Sequence, residues 1–213
     1  MDTPAAVSAF VLAGGESRRM GRDKALLALP TGETLLERAL RLARTVSDTV
    51  KLVAPRARYS EMVGVPVVED LYPACGPLAG IHAALSVSAT GLNLVLGVDY
   101  PLVTPELLRF LVRLAASTDK LATVPRVAGH LHNVCAVYRR EFAKIAENIL
   151  AGSVAFGHTA ASGKRRGTRI DGIFTGVPSR IVEEDELRDA GFGPELFANV
   201  NTPAEFRALR WQT

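Results

Sequence analysis

Short apolar runs alternate with segments of helical periodicity along most of the chain, and this alternation constrains the fold more than any other feature. The apolar runs predict strands at Val7–Leu12, Val50–Ala54, Val65–Glu69, Leu92–Val98, Leu121–Pro125 and Asn133–Tyr138. The periodic segments predict helices at Thr34–Val46, Leu78–Val87, Pro105–Ala116, Arg140–Leu150 and Pro203–Trp211. Strands separated by helices pair in parallel, with helices on both faces of the sheet. The sequence therefore predicts an α/β fold: a Rossmann-like three-layer sandwich with a mostly parallel sheet, forming a single domain over residues 1–213.

Composition excludes several other classes of protein. The chain has 213 residues, of which 48% are hydrophobic and 22% charged, as expected for a folded globular domain. No apolar stretch approaches the roughly 18–20 residues of a membrane span, and the N-terminus lacks the basic region of a signal peptide. Cys75 and Cys135 are too few for a disulfide framework or a C-x-x-C metal site. We expect two buried free thiols in a cytoplasmic protein with no membrane contact.

A glycine-rich, basic loop follows the first predicted strand, from Leu12 to Lys24. Its glycines let the backbone approach an anion closely, with exposed N–H groups as donors. Its cations are Arg18, Arg19, Arg22 and Lys24. In an open parallel sheet, ligands bind beyond the carboxyl ends of the strands, so this loop is the first candidate site. It matches neither the Walker A pattern nor G-x-G-x-x-G, which disfavours a P-loop or a dinucleotide site.

Two aspartates stand at the ends of predicted strands, where ligands of a divalent metal would be expected. Asp70 follows the third predicted strand, and Asp99 follows Leu92–Val98. Mg²⁺ is bound in proteins through one or two carboxylates together with substrate phosphates. Aspartate is also common in turns and helix caps, so a purely structural role stays open for each of them.

Four segments carry a resemblance to a known family. They are L-A-G-G-x-S-x-R-M-G-x-D-K at Leu12–Lys24, Glu69-Asp70 with G-P-L-A-G-I at Gly76–Ile81, Asp99-Tyr100-Pro101-Leu102, and Asn199-Val200-Asn201-Thr202-Pro203. Together they resemble the molybdenum cofactor guanylyltransferases, which share a nucleotide-diphospho-sugar transferase-like fold with sugar-phosphate nucleotidyltransferases. The resemblance covers most of the chain and is weak over residues 152–191. It implies transfer of GMP from GTP to the phosphate of molybdenum cofactor, with pyrophosphate as the second product.

The resemblance also implies a set of site residues, with the nucleotide bound by the N-terminal part of the chain and the acceptor by the C-terminal part. Arg19, Lys24 and Asp99 are the implied catalytic residues, and Asp99, with Asp70 in support, would hold Mg²⁺ or Mn²⁺. The implied nucleotide-binding residues are Leu12, Ala13, Gly14, Gly15, Arg19, Gly21, Lys24, Asp70, Pro77, Gly80 and Asp99. Gly80 would let the base approach the backbone. Asn199 and Asn201 are implied as acceptor contacts.

Some positions depart from the family pattern or leave alternatives open. The related cytidylyltransferases typically have Ala-Ala-Gly where this chain has Ala13-Gly14-Gly15, which favours GTP over CTP. Asn133 stands where proline is typical, so we expect His130 and His132 to be polar residues of a turn or strand. The cluster Lys164, Arg165, Arg166 and Arg169 is either a solvated loop or a contact for an anionic acceptor.

Three other functions are alternatives to guanylyl transfer. The first is cytidylyl transfer to the same cofactor, and the second is nucleotidyl transfer to a sugar phosphate. The third is a non-catalytic GTP- or pterin-binding partner of a molybdoenzyme; the acidic and basic residues of the site argue against it. Nucleic-acid binding is disfavoured, because only 6% of residues are aromatic and the cations cluster on one glycine loop. Transient contacts with cofactor-synthesis proteins or molybdoenzymes are expected instead.

Overall fold

The computed structural model describes residues 6–14, 23–59, 64–73, 75–155, 170–174, 176–200, 202, 205–206 and 209. Within these residues the strands are β1 (Val7–Leu12), β2 (Thr49–Val53), β3 (Val67–Val68), β4 (Leu92–Gly97), β5 (Ala122–Val127), β6 (His130–Leu131), β7 (Cys135–Arg139) and β8 (Ser179–Val182). The α-helices are α1 (Leu35–Arg44), α2 (Arg56–Tyr59), α3 (Pro77–Ser86), α4 (Pro105–Ala116), α5 (Phe142–Ala155), α6 (Ile170–Ile173) and α7 (Glu184–Asp189). Two 3-10 helices span Lys24–Leu26 and Pro194–Phe197.

The strands form one mixed, mostly parallel sheet, as predicted. Their order is β3-β2-β1-β4-β7-β5, and β5 also pairs with β6 and β8. The pairs β1–β2, β1–β4, β2–β3 and β5–β8 are parallel, whereas β7 is antiparallel to both of its neighbours. The chain runs outward from β1 to β2 and β3, then returns to place β4 on the other side of β1. The carboxyl ends of β1 and β4 therefore flank a topological switch point, where α/β proteins bind ligands.

Helices cover both faces of the sheet, which confirms the three layers. Alternate residues of β1 point to opposite faces: Val11 joins the core shared with α1 and α4, whereas Phe10 packs against Ala83 and Ala84 of α3. The core on the α3 side continues beneath α5 and α6. Burial of each Leu or Phe side chain stabilises the fold by roughly 1.5–3 kcal/mol. The surface ion pairs add at most about 1 kcal/mol each, so these two apolar layers hold the sheet between its helices.

Several helices begin where capping residues in the sequence favour a helix start. The Thr34 hydroxyl accepts a hydrogen bond from the Glu37 amide, and the Glu37 carboxylate accepts one from the Thr34 amide, which forms a capping box at the start of α1. Pro105 occupies the first turn of α4 behind the cap Thr104. Both cysteines are buried free thiols, as expected. No helix in the described part of the chain is long and apolar enough to cross a membrane.

Other predicted bounds were wrong. The third strand is limited to Val67–Val68, because Pro66 has no N–H to donate to a ladder. The helix predicted at Arg140–Leu150 begins at Phe142 and extends to Ala155. No element was predicted between residues 170 and 198, yet α6, β8, α7 and a 3-10 helix lie there. Of the predicted last helix, the structure describes Glu205 and Phe206 as helical, and most of its remaining residues lie outside the described part.

Candidate active site

The switch point brings the start of the glycine-rich loop beside Asp99. Leu12 and Gly97 end β1 and β4 as register partners, and the Val98 amide donates to the Leu12 carbonyl over 3.2 Å. Ala13 is tied to the other neighbouring strand, since its amide donates to the Val53 carbonyl. Gly14 is exposed at the edge of the sheet. The backbone that begins the predicted phosphate loop is thus held between β2 and β4. Its residues Gly15, Arg19 and Gly21 lie outside the described residues.

Lys24 and Asp99 meet at this edge. Lys24 Nζ lies 3.5 Å from Asp99 Oδ2, and the two side chains are 19% and 22% exposed. The two residues are 75 positions apart in the chain, so only the fold brings them together. A metal–triphosphate complex needs a cation near its phosphates and a carboxylate near its metal, and this edge of the sheet offers both. The predicted association of Lys24 with Asp99 at one edge of the sheet is therefore present in the structure.

The backbone around Lys24 is fixed by Asp23, which caps the 3-10 helix Lys24–Leu26. Asp23 Oδ1 accepts a hydrogen bond from the Ala25 amide over 3.1 Å, and Asp23 Oδ2 accepts one from the Tyr59 hydroxyl. Arg58 Nη1 lies 3.4 Å from the same Oδ2. Burial, and then the hydrogen bond to Asp23, raise the pKa of Tyr59, so this phenol stays a neutral donor. α2 thereby anchors the turn that carries Lys24.

The turn that carries Asp99 is fixed from three sides. Arg38 of α1 donates hydrogen bonds to the carbonyls of Pro101 and Val103. Burial lowers the pKa of Arg38, but a guanidinium stays charged at any physiological pH. The Val200 amide donates to the Asp99 carbonyl over 3.0 Å. Hydrogen bonds from a charged donor are stronger than neutral ones, so α1 and the C-terminal segment together hold this loop in place.

Gly97 supplies the third constraint, and the sequence analysis missed it. A Cβ built on Gly97 would overlap Asp99 Oδ1 and would lie 3.1 Å from Val134 Cγ2. The carboxylate therefore folds back over the last residue of β4, in space that only glycine leaves open. A glycine two residues before an aspartate at the end of a strand is the signal that would have revealed it.

Asp70 has a local structural role in addition to any metal role. Its Oδ1 accepts a hydrogen bond from the Tyr72 amide over 2.7 Å, which closes a turn after β3. This is the structural alternative that the sequence left open. Among the described residues, no group of three or more His, Cys, Asp and Glu side chains is placed to hold a metal ion. A metal at this site would thus be held by one or two aspartates together with substrate oxygens.

Gly80 and Pro77 lie on α3, whose residues the sequence assigned to the nucleotide base. Leu12 Cδ2 would lie 2.9 Å from a Cβ on Gly80, so this glycine is required for α3 to pack closely on β1. Packing of Leu12 is thus one physical reason for glycine at this position, and approach of a base to its backbone stays a prediction. Pro77 is exposed at the first turn of α3. Contact of either residue with a nucleotide stays a prediction.

The C-terminal segment reaches the site through Asn199. Burial raises the pKa of Tyr100, the residue after Asp99, and interaction with the Asn199 side chain acts in the opposite direction on that pKa. Tyr100 Oη also lies 3.1 Å from Nδ1 of His132, whose ring packs 4.8 Å from that of Phe197. His130 is exposed on β6, and His132 lies between β6 and β7 and is only 8% exposed. The sequence could not show this burial, because Phe197 and Tyr100 are distant in the chain.

Five further residues with a predicted role at the site are not described by the structure. Asn201 lies outside the described residues, as do Lys164, Arg165, Arg166 and Arg169. His82, whose place on the helix beside Gly80 is compatible with a position near the site or with packing, is buried on α3 with its ring 5.3 Å from that of Tyr72. Burial lowers the pKa of His82. The structure thus favours the packing role for this histidine.

A three-layer α/β sandwich with a Lys–Asp pair at the switch point of its mixed sheet has the charges that nucleotidyl transfer requires. The family model described as "MobA-like NTP transferase domain" matches residues 9–160. This chain belongs to the MobA-like NTP transferase family.

Two further comparisons agree with this assignment, and a third concerns the fold alone. A protein of Carboxydothermus hydrogenoformans named "Probable molybdenum cofactor guanylyltransferase" is 31% identical over 199 residues, covering 93% of this chain and 92% of that protein. The crystal structure of molybdopterin-guanine dinucleotide biosynthesis protein A from Archaeoglobus fulgidus aligns with a TM-score of 0.73 and 25% identity, over 94% of this chain and 95% of that one. A Mycobacterium tuberculosis protein crystallised with manganese shares the fold, with a TM-score of 0.60 and 20% identity over 95% and 96% of the two chains.

Proposed function

We propose that this protein transfers GMP from GTP to the terminal phosphate of molybdenum cofactor and releases pyrophosphate. The observation that carries the proposal is the ion pair of Lys24 with Asp99, 3.5 Å apart at the switch point beside the glycine-rich loop. The names of the Carboxydothermus and Archaeoglobus relatives support guanine as the base and a molybdopterin as the acceptor. The nucleotide would lie over β1 and β4, and the acceptor on the side of the C-terminal segment.

The transfer needs neither a covalent enzyme intermediate nor a general base. An oxygen of the acceptor's phosphate monoester, already anionic, attacks the α-phosphorus of GTP in line. A new P–O bond forms as the bond between the α-phosphorus and the bridging oxygen breaks, and pyrophosphate leaves with that oxygen. The protein's contribution is to position the two anions and to offset their charge. Lys24 would hold the triphosphate, together with Arg19 of the glycine-rich loop.

We further propose that a divalent metal, Mg²⁺ or Mn²⁺, binds at Asp99, with Asp70 in support. The Asp99 carboxylate fits this role, because it offers a partly exposed, hard oxygen ligand that Gly97, Arg38 and Val200 hold in place. When bound, the metal would offset negative charge on the phosphate oxygens. The same carboxylate pairs with Lys24, so metal binding would compete for Asp99 and leave the lysine to the phosphates. The manganese complex of the Mycobacterium fold relative is compatible with this choice of ion.

Gly97→Ala is expected to lower the rate of guanylyl transfer roughly 10- to 100-fold, the usual cost of losing support for a metal ligand. The added Cβ displaces Asp99 Oδ1, so half-maximal activity should require more Mg²⁺. Steady-state rates over a Mg²⁺ titration measure both effects. Gly91→Ala is the matched control, because a Cβ on Gly91, just before the same strand, meets nothing within 4 Å. An unchanged Mg²⁺ dependence in Gly97→Ala would refute the role of this glycine.

Base selectivity tests the proposed function most directly. Calorimetric titration with GTP, CTP, ATP and UTP in the presence of Mg²⁺ is expected to show GTP bound at least about tenfold more tightly than the others, or roughly 1.4 kcal/mol. Incubation of GTP with molybdenum cofactor should then release pyrophosphate and form the guanine dinucleotide. A preference for CTP would indicate cytidylyl transfer, and turnover with a sugar phosphate alone would indicate that other branch. GTP binding without turnover on any acceptor would favour the non-catalytic partner.

The cellular setting is part of the same proposal. We place the reaction in the cytoplasm, where GTP is available and where free thiols such as Cys75 and Cys135 stay reduced. The product would be handed to a molybdoenzyme through a transient contact. The whole chain would act as one domain.

A further inference from the structure

One short segment, the end of β2 together with α2, holds both ends of the glycine-rich loop. At the start of the loop, the Ala13 amide donates a hydrogen bond to the Val53 carbonyl over 3.0 Å. At its end, the Tyr59 hydroxyl donates to Asp23 Oδ2 over 2.5 Å, and Arg58 Nη1 lies 3.4 Å from the same oxygen. The loop is thus attached at both ends to a single strand and the helix that follows it.

The segment that holds the loop is itself fixed to the sheet. The Arg56 guanidinium donates a hydrogen bond to the Val67 carbonyl over 3.2 Å, and the Arg56 amide donates to the Glu69 carboxylate over 2.9 Å. Tyr59 is fully buried and belongs to the core that α1 and β1 share. Its ring cannot move without opening that core, because side chains in protein interiors are close-packed. The Tyr59 hydroxyl is therefore a fixed donor.

Asp23 connects this donor to Lys24. Asp23 Oδ1 accepts a hydrogen bond from the Ala25 amide over 3.1 Å, and the Asp23 carbonyl accepts one from the Leu26 amide over 3.2 Å. These two bonds close the 3-10 turn in which Lys24 lies, and Lys24 Nζ lies 3.5 Å from Asp99 Oδ2. One carboxylate oxygen of Asp23 thus bonds α2, and the other bonds the turn that carries Lys24.

We propose that Tyr59 is a positioning residue for guanylyl transfer, which acts through Asp23 to hold the turn of Lys24 where the lysine meets the triphosphate. This rests on the proposed function, in which Lys24 binds that triphosphate. A hydrogen bond from a hydroxyl to a carboxylate is short, strong and directional, so it defines the position of Asp23. Arg58 contributes less, because its side chain is 51% exposed and its attraction is screened by water.

Tyr59→Phe removes one oxygen atom and keeps the ring in the core. The expected result is a kcat roughly 10- to 100-fold lower, the usual cost of a reacting group displaced by about 1 Å, with the KM for the acceptor changed less than about twofold. Tyr138→Phe is the matched control, because Tyr138 is likewise fully buried and its hydroxyl donates to the Asn133 carbonyl over 2.7 Å. Equal rates in the two variants would overturn the proposal.

Coupling between the residues shows whether Tyr59 acts through Lys24. If it does, then Tyr59→Phe should lower kcat by less than about twofold in a Lys24→Ala background, because the group that it positions is already absent. A second loss in kcat as large as the loss in the wild-type background would overturn the proposal, since Tyr59 would then act on something other than Lys24.

Amide hydrogen exchange tests the positioning independently of the reaction. In Tyr59→Phe, the amides of Ala25 and Leu26 should exchange at least about tenfold faster, whereas the amides of Phe10 and Val11 in β1 should change less than about twofold. A general loss of stability would instead accelerate exchange in the turn and the strand together, and it would overturn the proposal.

The same exchange experiment separates the two proposals. If the wild-type protein does not turn over GTP with molybdenum cofactor, the proposed function fails, while the exchange rates still report how Tyr59 holds the turn. Unchanged exchange at Ala25 and Leu26 in Tyr59→Phe overturns the positioning whatever the reaction is.

Discussion

Asp99→Asn is expected to lower kcat for guanylyl transfer by roughly three orders of magnitude, in line with the loss of a major electrostatic contribution at an active site. The substitution keeps the size of the side chain but removes the charge, and Mg²⁺ prefers carboxylate oxygens. Binding of GTP without metal should be retained, because the change removes a negative charge close to the phosphates. Single-turnover rates with and without Mg²⁺, together with calorimetry of GTP binding, measure these two effects separately.

Stability measurements show whether such a loss is specific to the site. The Lys24–Asp99 pair is partly exposed and its atoms are 3.5 Å apart, so Asp99→Asn should change the free energy of unfolding by less than about 1 kcal/mol. Asp119→Asn is the matched control, because Asp119 is 94% exposed and pairs loosely with its neighbour Lys120. It should leave both activity and urea unfolding unchanged. Full activity of Asp99→Asn at ordinary Mg²⁺ would show that the metal is held elsewhere.

The sequence predicted the parallel strands β1, β2 and β4 and the location of the site, because the signals for them lie in short stretches of the chain. The apolar run Val7–Leu12 is followed at once by the glycine loop, and Leu92–Val98 by Asp99. In a parallel sheet, these facts place the start of the glycine loop and Asp99 at one edge. The ion pair of Lys24 with Asp99 was not predicted, because it depends on side-chain positions in the assembled fold.

The rest of the architecture depends on contacts between distant segments. Nothing local in Cys135–Arg139 tells that β7 runs antiparallel between β4 and β5. The strand Ser179–Val182 is short and only partly buried, so its apolar pattern is weak. Its identity as a strand comes from its parallel pairing with β5. The burial of His132 against Tyr100 and Phe197 is likewise a property of the assembled fold.

Gly80 and Gly97 show the same difference between what a local sequence motif predicts and what only the assembled fold shows. Gly80 is assigned to the approach of a base because of its place in a motif, and the structure adds a packing contact with the side chain of Leu12. Gly97 belongs to no motif that the sequence presented, but it makes room for the Asp99 carboxylate. A sequence motif therefore marks the position of a glycine, and the atoms around it in the fold show which close contact its missing side chain permits. Of these two glycines, Gly97 is the one in contact range of the Asp99 carboxylate.

Lys24→Ala is expected to lower kcat roughly 100- to 1,000-fold, since it removes a charge aimed at the phosphates where negative charge shifts during the reaction. The KM for GTP should rise less than kcat falls if Lys24 contacts the leaving pyrophosphate more strongly in the transition state than in the bound substrate. Lys24→Arg retains the charge but not the compact ammonium, so it should recover only part of the rate. Lys120→Ala, at a surface lysine, is the control for loss of a positive charge.

The double variant Lys24→Ala with Asp99→Asn decides how the two residues work. They contact each other without substrate, and both would serve the same metal–triphosphate complex, so the effects of the single substitutions should not add. The double variant should be little worse than Asp99→Asn alone, because a triphosphate that lacks its metal gains little from correct placement of one lysine. Strict additivity of the two losses in kcat would mean that Lys24 and Asp99 act on separate steps, and the ion pair would then have only a structural role in holding the two loops together. Unchanged turnover in Lys24→Ala would remove this lysine from the phosphate site altogether and leave Arg19 as the cation to test next.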